Sequence, residues 1–338
     1  MKISWRRVTV AAVLMIVAAV LYFGYPPEYK PVRFPDGKTF AFCIVDDTDG
    51  ATLERIRPVY DLFGELGIRS TKTIWVLPTN DSTHWPNRGV ALDDSAYMSF
   101  LLGLKAKGSE IALHGARGGN STREETILAL ERFKNVFGSY PRIHINHYRN
   151  LDNLYWGADK LSVFPFHTLY SLIFGGAPSY GHDTLSEYFW GDIAKERISY
   201  VVNYSFEDIN TLSVDPLIPY FDPSKPYVNY WFHSSDGGML SSFCDLISKE
   251  NVDRLEKEEG ACFVYTHLAS GFVKDGAVDS TFDARLRYLA SKNGWFAPAS
   301  EVLDYIRERR SQSDTITFRQ RVHVEGRWLL EKALHGSR

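Results

Sequence analysis

The sequence predicts an α/β protein folded as a (β/α) barrel, seven-stranded and incomplete, preceded by one N-terminal transmembrane helix. Three observations predict it. Helix-like segments alternate with short apolar runs, a glycine stands at nearly every junction between them, and a long apolar stretch follows basic residues at the N-terminus.

The N-terminal element comes first. Lys2, Arg6 and Arg7 precede an apolar stretch from Val8 to about Tyr25, closed by Pro26-Pro27. Roughly 17–25 apolar residues cross a bilayer as a helix, and the basic flank stays in the cytoplasm. Residues 1–27 therefore read as a signal-anchor, giving a single-pass membrane protein whose remaining chain is extracytoplasmic. A cleaved signal peptide is the competing reading. Its small-residue site, Ala18-Ala19, is followed by more apolar chain (Val20, Leu21, Phe23), which favours the uncleaved anchor.

Residues 28–310 carry the barrel pattern. Gly67, Gly108, Gly138, Gly260 and Gly294 each follow a helix-like segment and precede a β-rich run. Glycine suits the left-handed end of a helix. Continuous apolar strands alternating with helices imply a parallel sheet covered on both faces. Two helices have distinct inward faces: Leu53, Ile56, Tyr60, Phe63 and Leu66 in one, Ile127, Leu130, Phe133 and Phe137 in another. The second opens with the capping-box pattern Ser121-Thr122-Arg123-Glu124. From about Tyr155 to Pro226 the chain is irregular and rich in aromatics, Gly and Pro, and long loops are expected. Residues 311–338 form a polar tail with a short helical pattern from Glu325 to Leu334 and no assigned role.

Composition narrows the function. Of 338 residues, 44% are hydrophobic and 23% charged, ample for a large core. A formal net charge of −3 lacks the basic excess of a nucleic-acid binder, so no nucleic-acid partner is expected. Eight Trp and 19 Tyr suit either a core or sugar-stacking surfaces. Cys43, Cys244 and Cys262 permit at most one disulfide and form no CxxC pair.

The chemistry lies after the strands. One apolar run ends in Asp46-Asp47-Thr48-Asp49-Gly50, a second in His114-Gly115-Ala116-Arg117-Gly118, a third in Asn146-His147-Tyr148-Arg149 and a late one in Thr266-His267. In parallel α/β architectures these ends share one face, where active sites are built. Each piece alone is commonplace, since Asp pairs cap turns and helices and lone histidines satisfy hydrogen bonds. Together they bring carboxylates, histidines and an arginine to one rim. Asp oxygen with His nitrogen suits Zn²⁺ or a similar divalent ion with an open position for water.

Asp46-Asp47, the segment Glu110-Ile111-Ala112-Leu113-His114-Gly115 and the late Tyr265-Thr266-His267 resemble the motifs of polysaccharide deacetylases of the NodB-homology type, in the expected order from about Phe40 to Arg310. The resemblance implies a metal-dependent hydrolase that removes N- or O-linked acetyl groups from an acetylated polysaccharide or oligosaccharide of the cell envelope or its surroundings. It implies Asp46 as general base, Asp47 and His114 as metal ligands and His267 as general acid. One position departs from the pattern. The family places another histidine four residues after the first, and here that residue is Gly118. His147, at the end of the next strand, is the expected replacement, ahead of His144 within the strand. Arg149 is expected to orient Asp46 or bind substrate, and Arg117 to bind an anionic substrate group. Trp231, Tyr230, Trp156 and Tyr155 are candidates for stacking on sugar rings. Two other readings stay open: a glycan-binding relative that has lost the metal, and a metal-free glycoside hydrolase using paired carboxylates.

Overall fold

The computed structural model describes residues 28–335. The expected membrane segment lies outside them, and among the described residues no helix is long and apolar enough to cross a membrane.

Seven parallel strands form the wall: β1 (Phe40–Asp46), β2 (Thr71–Ile74), β3 (Glu110–Leu113), β4 (Ile143–His144), β5 (Tyr200–Phe206), β6 (Tyr230–Asp236) and β7 (Ala261–Thr266). The barrel expected to be incomplete is closed. Ala41 to Asp46 of β1 pair in register with Ala261 to Thr266 of β7. A short hairpin, β8 (Val273–Lys274) and β9 (Ala277–Val278), follows β7. The last strand, β10 (Gly294–Phe296), pairs with Phe40–Phe42 on the other edge of β1, while β2 takes Val45 and Asp46 on that same edge. β10 thus fills the gap between β1 and β2 at the N-terminal end.

Every residue of β1 is buried, as a strand covered on both faces requires. The helix Leu53–Glu65 lays Ile56, Val59, Tyr60, Leu62 and Phe63 on the core. The helix Arg123–Phe137 starts one residue later than expected: Thr122 is the N-cap, reciprocated by Glu125, and Gly138 closes the helix at φ 81°. All three cysteines are buried and free.

Two regions differ from the sequence expectation. The stretch read as loops contains β5, preceded by the seven-residue helix Gly191–Arg197 that ends without a glycine. The tail contains an 18-residue helix, Phe318–His335. This helix is tied to the barrel's C-terminal face: the buried Glu325 carboxylate accepts from the Ser162 and Val163 backbone N–H groups (3.0 and 2.9 Å) and the Ser162 hydroxyl (2.8 Å). Trp328 packs between Tyr170 and Tyr204, with ring centroids 5.6 and 4.9 Å away.

Candidate active site

At the C-terminal strand ends lies a cleft of about 720 Å³ whose floor includes Asp47, Asp49, His114 and Tyr265. β1 positions the carboxylates, β3 positions His114 immediately after Leu113, the chain leaving β4 supplies His147, and β7 delivers His267. Asp49 Oδ1 lies 3.0 Å from His114 Nε2 and 3.3 Å from His147 Nδ1, and these two nitrogens are 3.1 Å apart. All three side chains are buried, and their donor atoms lie within 4.8 Å of one another.

This donor set fits a divalent cation. Donors about 2.0–2.2 Å from one tetrahedral ion stand roughly 3.3 Å apart, close to the spacing here. The tautomer also fits. His147 Nε2 lies 2.7 Å from Asn87 Oδ1, an acceptor, so Nε2 carries the hydrogen and the Nδ1 lone pair faces the site.

Two groups flank the trio. Asp47 Oδ2 is 3.8 Å from His114 Nε2, and its Oδ1 is 3.4 Å from the Thr73 hydroxyl. His267 Nε2 is 3.5 Å from Asp49 Oδ2 and 2.9 Å from the Tyr265 hydroxyl. Its Nδ1 lies 2.9 Å from the Gly238 carbonyl oxygen, so Nδ1 is protonated.

Burial disfavours every charge here, and the neighbours decide the outcome. Burial pushes the Asp47 carboxyl up to about 6, against the pull of His114 and His267. Asp49 is equally starved of water, yet His114, His147 and His267 hold it well below the usual carboxylate range. Burial opposes protonation of His267, but Asp49 and Asp47 push it up to about 9. Burial also opposes the charge on His114, which the same two carboxylates raise, whereas His147 is pulled down.

Asp46 stands outside this group. It is fully buried and faces away from the cleft, toward the helix Leu53–Glu65. Its Oδ2 accepts from Lys72 Nζ (2.7 Å) and the Tyr60 hydroxyl (2.9 Å), and its Oδ1 from the Leu268 backbone N–H (2.9 Å). Successive strand residues face opposite sides, so Asp46, expected as the general base, is turned away from the cleft, and Asp47 and Asp49 are the carboxylates that line it. Lys72, fully buried beside Asp46, does the orienting expected of Arg149.

The remaining expectations divide. Arg149 lines the cleft, its guanidinium 5.0 Å from the Tyr148 ring. Arg117 is not among the residues lining the cleft and pairs with Glu125 (2.8 Å) at the start of the following helix. Trp231 is 1% exposed and belongs to the core, so it cannot stack on a sugar. Tyr230 begins β6, at the opposite end of the barrel, under Arg307. Tyr155 is buried against His182. Trp156 alone of these aromatics lines the cleft. His144 stays within the wall, 3.1 Å from Asn146.

Gly118 is excluded as a side-chain site by its surroundings. A Cβ there would lie 2.7 Å from the Asn87 carbonyl oxygen and 2.9 Å from the Trp75 ring. Those same two residues hold the trio: Asn87 orients His147, and Trp75 packs on both histidine rings, 6.4 Å from His114 and 5.3 Å from His147. The residues that orient and pack the two histidines thus fill the space a side chain at 118 would need.

Sequence reasoning missed Asp49, Lys72 and Asn87 as contributors. Asp49 had a signal, since it shares the parity of Asp47 just past the same strand. Lys72, a charge between two threonines inside a strand, had one too. Asn87 had none.

No family model matches the chain, and no curated protein matches it in sequence. Solved structures do resemble it. A structure described as Puue allantoinase superposes with a TM-score of 0.53 at 12% identity, covering 86% of this chain and 97% of that one. A probable polysaccharide deacetylase from Pseudomonas aeruginosa PAO1 superposes with a TM-score of 0.50 at 12% identity, covering 86% and 98%. The chain therefore shares its fold with this allantoinase and this deacetylase.

Proposed function

We propose that the protein is a metal-dependent hydrolase that removes acetyl groups from a polysaccharide or oligosaccharide. The observation that carries this is the convergence of Asp49, His114 and His147 on one point, with a carboxylate and a histidine on either side. The shared fold of a structure described as a probable polysaccharide deacetylase supports the choice of substrate.

Asp49, His114 and His147 hold the cation, which we take to be zinc from its preference for mixed oxygen and nitrogen donors. Such an ion supplies Lewis acidity to a bound acyl oxygen and makes water more acidic. Asp47, beside His114, takes the proton of the water that attacks the acetyl carbon. His267, with Nδ1 tied to Gly238, gives its Nε2 proton to the departing nitrogen or oxygen as acetate forms. Tyr265 and Asp49 fix the His267 ring during that transfer. Asn87 keeps His147 in the ligand tautomer. Lys72, Tyr60 and the Leu268 N–H hold Asp46 and through it the turn that carries both working carboxylates. We place the cleft on the extracytoplasmic side of a membrane, supported by Lys2, Arg6 and Arg7 ahead of the apolar stretch.

Metal analysis of the purified protein, with acetate release from a panel of acetylated glycans, tests the reading. One divalent ion per chain and released acetate are expected, and His114→Ala should lose both. Absence of bound metal after zinc supplementation would point to the glycan-binding alternative. Reducing ends without acetate, unaffected by His114→Ala, would point to glycoside hydrolysis.

A further inference from the structure

The wall of the cleft beyond the catalytic floor carries charges that the proposed reaction does not use. Arg149, Lys160 and Lys332 all line it, together with Trp156, Tyr148 and Trp328. They come from two separate parts of the chain: the loops after β4 and the C-terminal helix Phe318–His335.

Among the described residues, none of these three cations forms a salt bridge with a carboxylate. Each lies over an aromatic ring: Arg149 is 5.0 Å from the Tyr148 centroid, Lys160 4.1 Å from Trp156, and Lys332 5.3 Å from Trp328. Lys160 also approaches Trp328, at 5.7 Å, so the two lysines share that ring from different elements. Among the described residues, Lys160 Nζ donates to the Asn203 carbonyl, at 2.7 Å. Two carboxylates on the same wall have other partners, although Asp236 also lies near enough to Lys332 to favour its charge. Glu331 holds Arg327 and accepts the Glu207 N–H, each at 3.1 Å, and Asp236 accepts the Gly238 N–H.

Holding an ammonium away from water with no anion beside it is unfavourable. Burial, with Lys332 and Lys225 nearby, pulls Lys160 down to about 7. A bound anion would relieve that cost, and indole faces beside a cation suit the apolar face of a sugar ring.

We infer that the cleft recognises an anionic sugar unit, seated against Trp156 with its charged group held by Lys160, Lys332 and Arg149. The inference rests on the cleft being the substrate site of the proposed deacetylase and names the class of glycan that site takes. A uronate and a sugar phosphate share this chemistry.

Binding and acetate release are measured on the full chain with three oligosaccharides of equal length: an acetylated oligo-uronate, its carboxyl-reduced neutral counterpart, and the neutral oligomer phosphorylated at the former carboxyl position. The oligo-uronate is expected to bind about tenfold or more tightly than the neutral oligomer, the size of one charge-assisted contact. KM should carry the preference, and rising salt should erode it. Lys160→Met and Lys332→Met should each bring the acidic-to-neutral ratio toward one, and Lys160→Arg should restore it. Lys332 lies on a helix surface, so its variant tests the inference even where Lys160→Met lowers the melting temperature. Preference for the phosphorylated oligomer over the uronate would identify phosphate as the source of the charge and still support the site. Equal affinity for charged and neutral oligomers, or variants that weaken both alike, would overturn it. Acetate released equally from both defeats this inference and leaves the deacetylase reading standing. A charge preference without acetate from any oligomer does the reverse.

Discussion

The barrel has a hollow at each end, nearly equal in size and opposite in character. The one at the N-terminal strand ends, about 690 Å³, contains two arginines, and both are matched. Arg69 grips Glu301 with bonds of 2.6 and 2.9 Å, and Arg142 grips Asp304 with bonds of 2.6 and 2.8 Å. The one at the C-terminal strand ends, about 720 Å³, leaves its arginine and both lysines over rings, and gathers its histidines around acids on the floor. Volume does not distinguish these hollows. Charge pairing does: bidentate arginine–carboxylate pairs have spent their hydrogen-bonding capacity on the fold, whereas the other end keeps its capacity for something that arrives.

The sharpest way to break this contrast uses adjacent residues of opposite fate. Asp47→Asn should lower acetate release by about 10²–10⁴-fold, the usual loss for a general base, and leave metal content intact. Asp46→Asn should instead cost about 3–5 kcal/mol of stability, because it strands a buried Lys72. Denaturant titration and turnover measured on both variants decide, and the reverse pattern would return the base to Asp46.

A second prediction follows acidity. Asp152, buried with the Ser121 N–H at 3.1 Å, is pushed up to about 7 by burial. A folded-state pKa above the unfolded value of 3.8 means that its contribution is full below that value and is lost as pH rises through about 7. Asp152→Asn should flatten the stability profile over that window by up to about 4 kcal/mol, read from unfolding midpoints at several pH values. At the other end the sign is opposite. Burial opposes ionisation of Asp304, but Arg142 and Tyr200 hold it low, so its contribution fades on acidification.

The smallest effect is expected from Arg142→Met. That partly exposed pair should cost about 1 kcal/mol or less, with acetate release unchanged. A large loss of activity would mean that the N-terminal hollow is not merely structural.

The fold was legible because glycine-punctuated alternation is a strong signal, and strand ends could be read as a rim without knowing how the barrel closes. Which aspartate faces the cleft was not legible. β1 is buried on both faces, so it shows no polar–apolar alternation from which to read parity, and two adjacent acids look alike. Asp49 sat in what read as a turn. Lys72, a charge inside the strand that begins at Thr71, gave a signal but did not name its partner. β5 escaped notice because its preceding helix ends in Ile198 rather than glycine. Trp231 shows the limit of counting aromatics, since the same residue type serves wall and core. The docking of the tail rests on long-range contacts, Glu325 with Ser162 and Trp328 with Tyr170 and Tyr204, which no local pattern announces.

Closure of β1 against β7 also sets an order of assembly. The Leu268 N–H that grips Asp46 lies 222 residues away in sequence. As the chain emerges from the ribosome, its first strand is made long before the neighbour that completes it. Such distant pairing raises contact order and slows folding. Until β7 arrives, β1, apolar from Phe40 to Val45, has an unpaired edge, the kind of surface that invites aggregation. The nascent barrel is thus most vulnerable at the strand that bears its chemistry, and a holdase that shields β1 during synthesis would raise the yield of folded protein more than one acting on any later strand.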